Sequence, residues 1–313
     1  LCRQIASNSP KKLIIVDIYE NNAYDLQQEL KMEYGNKLDL KVEIASVRDR
    51  EKVRELVGYY RPQIIFHAAA HKHVPLMEEC PEEAVKNNVF GTYNVVHAAD
   101  EFGVDKFVLI STDKAVNPTN VMGATKYLCE QVLQGLRHGS KTEFAAVRFG
   151  NVLGSSGSVI PLFKKQIAYG GPVTITDRRI VRYFMTIAEA VQLVLEAGSF
   201  ARSGEVFVLD MGQPVYIREL AEKMICLSGL TPGVDIEIQE IGLRPGEKLY
   251  EELLISDKNL HRTENAKIFV EQRPEVGRNS MKEKLDRLRA AAESNDAERM
   301  VALLHEICPT FRT

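Results

Sequence analysis

The chain has 313 residues, enough for one large core or two smaller domains. Its 45% hydrophobic and 27% charged content is that of an ordinary soluble protein, and a net charge of −3 supplies no field for nucleic acid or an anionic lipid surface, so any phosphate must be bound by local groups. Five scattered cysteines (Cys2, Cys80, Cys129, Cys226, Cys308) form no metal-ligand pair and read as reduced structural thiols, no apolar run approaches the ~20 residues of a membrane span, and no signal peptide is visible.

Residues 1–7 read as the middle of an amphipathic helix with no strand ahead of them, so residues before Leu1 are expected. Leu13 to Asp17 is a short apolar strand and Asn21 to Lys31 is helical in pattern. Leu40 to Ala45 alternates as a strand, and Asp49 then caps a helix reaching Tyr59. Gln63 to Ala69 reads as a buried strand, and a long helical stretch from Pro81 to Phe102 leads into the strand Lys106 to Ile110. Asn120 to Arg137 is helical again, and Phe144 to Phe149 is another strand. Continuous apolar strands separated by helices indicate a Rossmann-like α/β fold, a doubly wound parallel sheet covered on both faces. After Gly150 the strands become short, with loops at 154–158 and 170–172, which suggests a division at 1–150 and 151–313, the second part mainly a smaller substrate-binding lobe and C-terminal helices. The tail from Ser280 to Ile307 has helical spacing in Leu285, Leu288, Ala292, Met300, Leu303 and Leu304.

The strand ending at Ile110 is followed by Ser111-Thr112-Asp113-Lys114, then by Met122 and, one helical turn later, Lys126. Strand ends in open α/β sheets are where ligands bind. A carboxylate beside an amine can divide general-acid and general-base duties when burial shifts their proton affinities; the plain alternative is a surface ion pair. Asp17 closes its strand, where an acid can accept from a ribose 2′-hydroxyl and favours NAD over NADP; a helix cap or solvated strand end is the competing reading. Asp49 either reaches an adenine or only caps its helix. Ala68-Ala69-Ala70 are small enough to let a cofactor approach the backbone, with Lys72 beside its pyrophosphate or nicotinamide. His67, His71 and His73 lie close in sequence but diverge along a strand end, with no fourth ligand nearby, so a metal site is not expected. Arg148, Arg182 and Arg244 suit an anionic nucleotide, since guanidinium forks match phosphate oxygens.

The Met122–Lys126 spacing resembles the Tyr-x-x-x-Lys mark of the extended short-chain dehydrogenase/reductases, with methionine where tyrosine would stand. Residues 67–78 (HAAAHKHVPLME), 87–92 (NNVFGT), 111–119 (STDKAVNPT), 148–152 (RFGNV) and 244–248 (RPGEK) together resemble the UDP-N-acetylglucosamine 4,6-dehydratases of capsule and O-antigen biosynthesis, over nearly the whole chain. That branch has lysine, here Lys114, where related dehydratases have glutamate; methionine for tyrosine is typical of its large membrane-anchored members. The resemblance implies that the chain is the catalytic part, beginning just after the family's Gly-rich loop, cytoplasmic or at the cytoplasmic face of the inner membrane. It implies NAD as cofactor, with NADP left open, held by Asp17, Asp49, Ala68, Ala69, Lys72, Asn88 and Lys126. Thr112, Asp113, Lys114, Met122 and Lys126 form the catalytic group, and Asn151, Val152, Thr174, Thr176, Arg182, Arg244 and Glu247 the contacts to UDP-N-acetylglucosamine. The reaction needs Lys114 neutral near pH 7 to take the carbon-5 proton, a condition that Lys126 and desolvation by the bound sugar would favour, and Asp113 to protonate the departing 6-hydroxyl. The base at the 4-hydroxyl is left open between Asp113, a water and Thr112. A sugar-nucleotide 4-epimerase and a non-catalytic nucleotide sensor are the alternatives. A homo-oligomer is expected, without nucleic acid or membrane contact from this segment.

Overall fold

The computed structural model describes residues 1–155, 157–202, 204–252, 260–271, 277–294 and 296–312. In chain order the first half runs α1 (Cys2–Ser7), β1 (Leu13–Asp17), α2 (Glu20–Tyr34), β2 (Leu40–Ile44), α3 (Arg50–Tyr60), β3 (Ile64–His67), α4 (Val74–Glu79), α5 (Pro81–Ala84), α6 (Gly91–Phe102), β4 (Lys106–Ile110), α7 (Val121–Leu136) and β5 (Glu143–Arg148). The second half adds β6 (Asn151–Val152), α8 (Val159–Ala168), β7 (Val173–Ile175), β8 (Val181–Met185), α9 (Ile187–Phe200), β9 (Glu205–Leu209), β10 (Pro214–Tyr216), α10 (Ile217–Leu227), β11 (Ile238–Glu240), β12 (Leu260–Arg262), β13 (Ile268–Glu271), α11 (Arg278–Ser294) and α12 (Ala297–Ile307). Ser156 of the predicted 154–158 loop and Asn295 of the predicted tail lie outside the described residues.

The main sheet has the order β12-β13-β9-β5-β4-β3, parallel from β3 to β9 and antiparallel at β13 and β12. Alternation along its central strands sends side chains to two separate cores. Phe107, Leu109, Phe144 and Ala146 face the core shared with α6, α7, α11 and α12, whereas Val108, Ala145 and Val147 face the core beneath α9. Phe107 and Phe144 are fully buried, each such side chain contributing roughly 1.5–3 kcal/mol. β1 and β2 form a separate parallel pair over a small core of Ala6, Leu13, Ile15, Leu30 and Leu38. β3, read as a buried strand, is therefore an edge of the six-stranded sheet, and Ile64 is 49% exposed.

Residues beyond 150 contribute to both parts of the molecule. β9, β13 and β12 return to the main sheet and the C-terminal helices cover α7, so much of 151–313 completes the first body. The part with a core of its own is built from α8, β7, α10 and β11 around Phe163, Ile167, Ile175, Ile225 and Ile236. The helix predicted over Pro81–Phe102 is interrupted by a π-helical turn at Val85–Phe90, which carries the buried Asn88. Asn120 caps α7, its Oδ1 accepting from Gly123 N at 2.7 Å, and Asp49 caps α3 by accepting from Lys52 N at 3.0 Å.

Arg148, read from the sequence as a phosphate ligand, is fully buried and bound elsewhere. It shares the face of Phe144 and Ala146, which looks toward α7. There Nε and Nη2 donate to Glu130 at 2.8 and 2.7 Å, while Nη1 donates to Glu271 of β13 at 2.9 Å. Removing one member of a buried ion group leaves an unpaired charge and costs about 3–5 kcal/mol. Arg148→Ala should therefore lose about that much stability in urea unfolding, whereas the exposed Arg287→Ala, which breaks a surface pair with Glu306, should change it little.

Candidate active site

The ends of β3, β4 and β5 point to one side of the sheet, and three chain segments meet there. Beyond β4, Ser111 N donates to Val147 O at 2.8 Å and Asp113 N to Phe149 O at 3.1 Å, so β5 carries the ladder into the turn. Thr112 then opens a short 3₁₀ turn, donating its hydroxyl to Asp113 Oδ1 at 2.8 Å. Lys114 Nζ donates to the same oxygen at 3.0 Å. Asp113 is fully buried, and its Oδ2 is without a hydrogen-bond partner, facing Gly150, where an added Cβ would come within 3.2 Å of it. Thr112, Asp113 and Lys114 are thus brought together as the sequence reading expects, and not as a solvated surface pair.

α7 begins directly above this turn. Gly123 approaches Lys114 so closely that a Cβ there would sit 2.2 Å from the Lys114 carbonyl oxygen. Met122 is 4% exposed and belongs to the main apolar core, so no hydroxyl stands at the position of the family's tyrosine. Lys126 is buried one turn on and donates to Ile110 O at 2.7 Å; burial lowers its proton affinity from the ordinary value, with Cys129 and Glu130 opposing.

The expectation for Lys114 concerns the sugar-bound site, and in the free protein the balance runs the other way. Burial does lower it, but the adjacent Asp113 and Glu251 carboxylates outweigh that effect against Arg182, and the net shift is upward. Lys114 is held as an ammonium in the ligand-free protein. Glu251, which the sequence reading missed, has Oε1 3.5 Å from Lys114 Nζ and 3.6 Å from Arg182 Nε.

The candidate cofactor residues fall into two groups. Asp17 is exposed at the end of β1 with one oxygen accepting from Tyr19 N, and Ala68 and Ala69 are exposed beyond β3. Asn88 is buried and grips His71 from both sides, accepting from its N–H at 2.7 Å and donating to its carbonyl at 3.0 Å, so it shapes the segment after Ala70. Lys72 borders a cavity of about 270 Å³ with Ala70, His71, His73, Leu76 and Met77, and desolvation lowers its amine although much of the side chain stays exposed. These residues fit a dinucleotide: an open carboxylate for a ribose and a side-chain-poor approach to backbone. Asp49 is engaged in capping α3. His67 is buried against Thr92 at 3.0 Å, and burial, aided by Lys126, lowers it to about 3, which keeps it neutral.

On the other lobe, Glu247 Oε1 accepts from Thr176 at 3.1 Å and from Arg182 Nη2 at 3.4 Å. Arg182 Nη1 donates to Val181 O and Leu249 O, and Nη2 also to Lys248 O at 2.8 Å. Every nitrogen of this 8% exposed guanidinium is engaged inside the protein, so the phosphate reading of Arg182 gives way to a structural one: it pins residues 247–251 to β8. Arg244 is exposed at the rim of that segment. Thr174 is paired with Gln166 of α8, and Asn151 donates to Tyr183 O at 3.4 Å while Val152 pairs with Met185.

Residues 1–273 match the family described as polysaccharide biosynthesis protein. The chain belongs to that family. It is 56% identical over 255 residues to the capsular polysaccharide biosynthesis protein CapD of Staphylococcus aureus, covering 81% of this chain and 42% of CapD. The chain thus spans less than half the length of this relative. It is 36% identical over 252 residues to a Campylobacter jejuni protein named UDP-N-acetylglucosamine 4,6-dehydratase (inverting), covering 79% and 71% of the two chains. Among solved structures, Pen from Bacillus thuringiensis superposes with a TM-score of 0.80 at 36% identity, over 88% of this chain and 84% of that one.

The tight seat of Gly123 makes a local prediction. In Gly123→Ala the new methyl must displace the Lys114 backbone, an overpacking expected to cost about 1–3 kcal/mol. A thermal midpoint equal to that of the unchanged protein would show that α7 and the turn are not held together at this point.

Proposed function

We propose that the chain catalyses NAD-dependent 4,6-dehydration of UDP-N-acetylglucosamine to a UDP-4-keto-6-deoxy-N-acetylhexosamine, for a surface polysaccharide. The observation that carries this reading is the buried Asp113–Lys114 contact at the end of β4. Returning a substrate to its own 4-epimer needs no such acid–base pair; eliminating water across carbons 5 and 6 does. The name of the Campylobacter relative supports the same substrate.

Held by Asp17, Ala68, Ala69 and Lys126, NAD would supply a hydride acceptor for carbon 4 and, once reduced, a hydride donor for carbon 6. The protein's part is to hold and move protons. The pair holds its proton on Lys114 Nζ, raised by its carboxylate neighbours. Loss of that proton to solvent leaves an amine 3.0 Å from the Asp113 carboxylate, and the carboxylate becomes an acid by taking the proton of the 4-hydroxyl as carbon 4 is oxidised. Lys114 Nζ then takes the carbon-5 proton, made acidic by the 4-ketone, Asp113 protonates the departing 6-hydroxyl, which leaves as water, and Lys114 returns its proton to carbon 5 as hydride reaches carbon 6. Thr112, donating to Asp113 Oδ1, orients the acid. With Met122 unable to accept a proton, the base at the 4-hydroxyl falls to Asp113 directly or through Thr112. Asp17 receives the adenosine ribose, and Ala68–Ala69 let the diphosphate approach. Arg244 is assigned to the UDP diphosphate from its place on the rim.

Full-length protein incubated with NAD and UDP-N-acetylglucosamine should yield a product lighter by one water. An isomer of unchanged mass would make it an epimerase, and unchanged substrate a binding protein. Lys114→Ala should cut dehydration by about 10²–10⁴-fold, the usual worth of one acid–base group. Oxidation at carbon 4 persists in that variant, so NADH absorbance should accumulate; full turnover would remove Lys114 from the base role.

Because the free protein holds Lys114 as an ammonium, raised above the ordinary lysine range, kcat/KM should rise with pH from neutral through the alkaline range as the small fraction of free amine grows. A flat profile over that range contradicts this role.

A further inference from the structure

Residues 244–252 are fastened to the segment just after Lys114. Gly246 O accepts from Thr119 Oγ1 at 2.9 Å and from Asn120 Nδ2 at 3.1 Å. Lys248 Nζ donates to Val116 O at 3.0 Å, and Asn117 donates to Glu252 at 2.7 Å. Glu251 is not needed for this attachment, yet it turns inward: its side chain is 4% exposed, and Oε2 is buried with no hydrogen-bond partner. An ionised oxygen in that setting is costly unless a cation compensates it. The nearby cations are Lys114 and Arg182, at 3.5 and 3.6 Å from Oε1.

We propose that Glu251 is a positioning residue for the Lys114 amine: it closes the second side of an Asp113–Lys114–Glu251 row and ties that amine to the seating of residues 244–252. Charged groups face the amine from three elements, Asp113 from its own turn, Glu251 from the docked segment and Arg182 from β8. Arg182 in turn is shared between Glu251 and Glu247. Without the Glu251 charge, Lys114 faces Arg182 with Asp113 alone opposing it, and its proton leaves more readily. Seating the segment therefore holds the resting ammonium, and any displacement of the segment by a nucleotide sugar frees the amine to act. This rests on Lys114 being the base of the proposed dehydration.

The test reads the amine without substrate. The full-length protein is acylated with acetic anhydride over a range of pH, and Lys114 labelling is followed by peptide mass spectrometry, with the exposed Lys223 as internal control. Glu251→Gln keeps the size and removes the charge. Lys114 should label about tenfold faster in this variant at neutral pH, the gain when an amine loses one close opposite charge, and Lys223 should not change. Superimposable Lys114 curves overturn the proposal. If the glutamine variant does not fold, Glu251→Asp withdraws the carboxylate while keeping its charge: a smaller shift in the same direction supports the role, and no shift overturns it. In turnover of UDP-N-acetylglucosamine, Glu251→Gln should move the acid limb of kcat/KM to lower pH with KM little changed; an unmoved limb counts against it. An unmutated protein that leaves this sugar intact sinks the dehydratase reading alone, because the labelling curves still report on Glu251.

Discussion

The buried guanidinium of Arg148 is the constraint on which the rest of the site depends. A cation wholly removed from water must be met by anions at close range, and here the two come from elements distant in sequence: Glu130 on α7 and Glu271 on β13. The group therefore fastens the active-site helix and the antiparallel end of the sheet to the same strand. Ser111 adds its hydroxyl to Glu130 at 2.6 Å, which draws the end of β4 into the arrangement one residue before Thr112. With α7 and the β4 end both fixed, Gly123 can pass against the Lys114 backbone and Lys126 can reach Ile110.

Two lysines near the same strand end are given opposite environments. Lys126 is buried beside a neutral carbonyl, and its proton affinity falls. Lys114 is partly buried between carboxylates, and its affinity rises. Divergence of this kind between titratable neighbours is how one site supplies different proton-transfer roles. Lys126 suits holding and orienting by hydrogen bonds; Lys114 keeps its proton beside the carboxylates that attract it. The contrast is set by Asp113 and Glu251, and only the first of these adjoins Lys114 in sequence.

The sequence reading was most accurate where contacts are local. The Thr112-Asp113-Lys114 turn is contiguous, Met122 and Lys126 are one helical turn apart, and Asn120 carries a helix-capping side chain at the right position; backbone geometry alone brings such residues together. Period-2 alternation also held the information that Arg148 shares a face with Phe144 and Ala146, although its residue type drew attention to phosphates instead. Arg182 carried no comparable signal, since its partners are mostly backbone carbonyls of residues 248 and 249, which any sequence provides.

What the sequence by itself determined is the sheet-forming pattern of the first half and the chemistry gathered at the end of β4, because apolar periodicity and adjacency act over a few residues. Tertiary structure alone decided which charges meet. The return of β9 and β13 to the sheet brings Glu271 to Arg148, and the docking of residues 244–252 brings Glu251 to Lys114. Proton affinities follow from those encounters, since Coulomb energy depends on distance and burial, and neither is written in the order of residues.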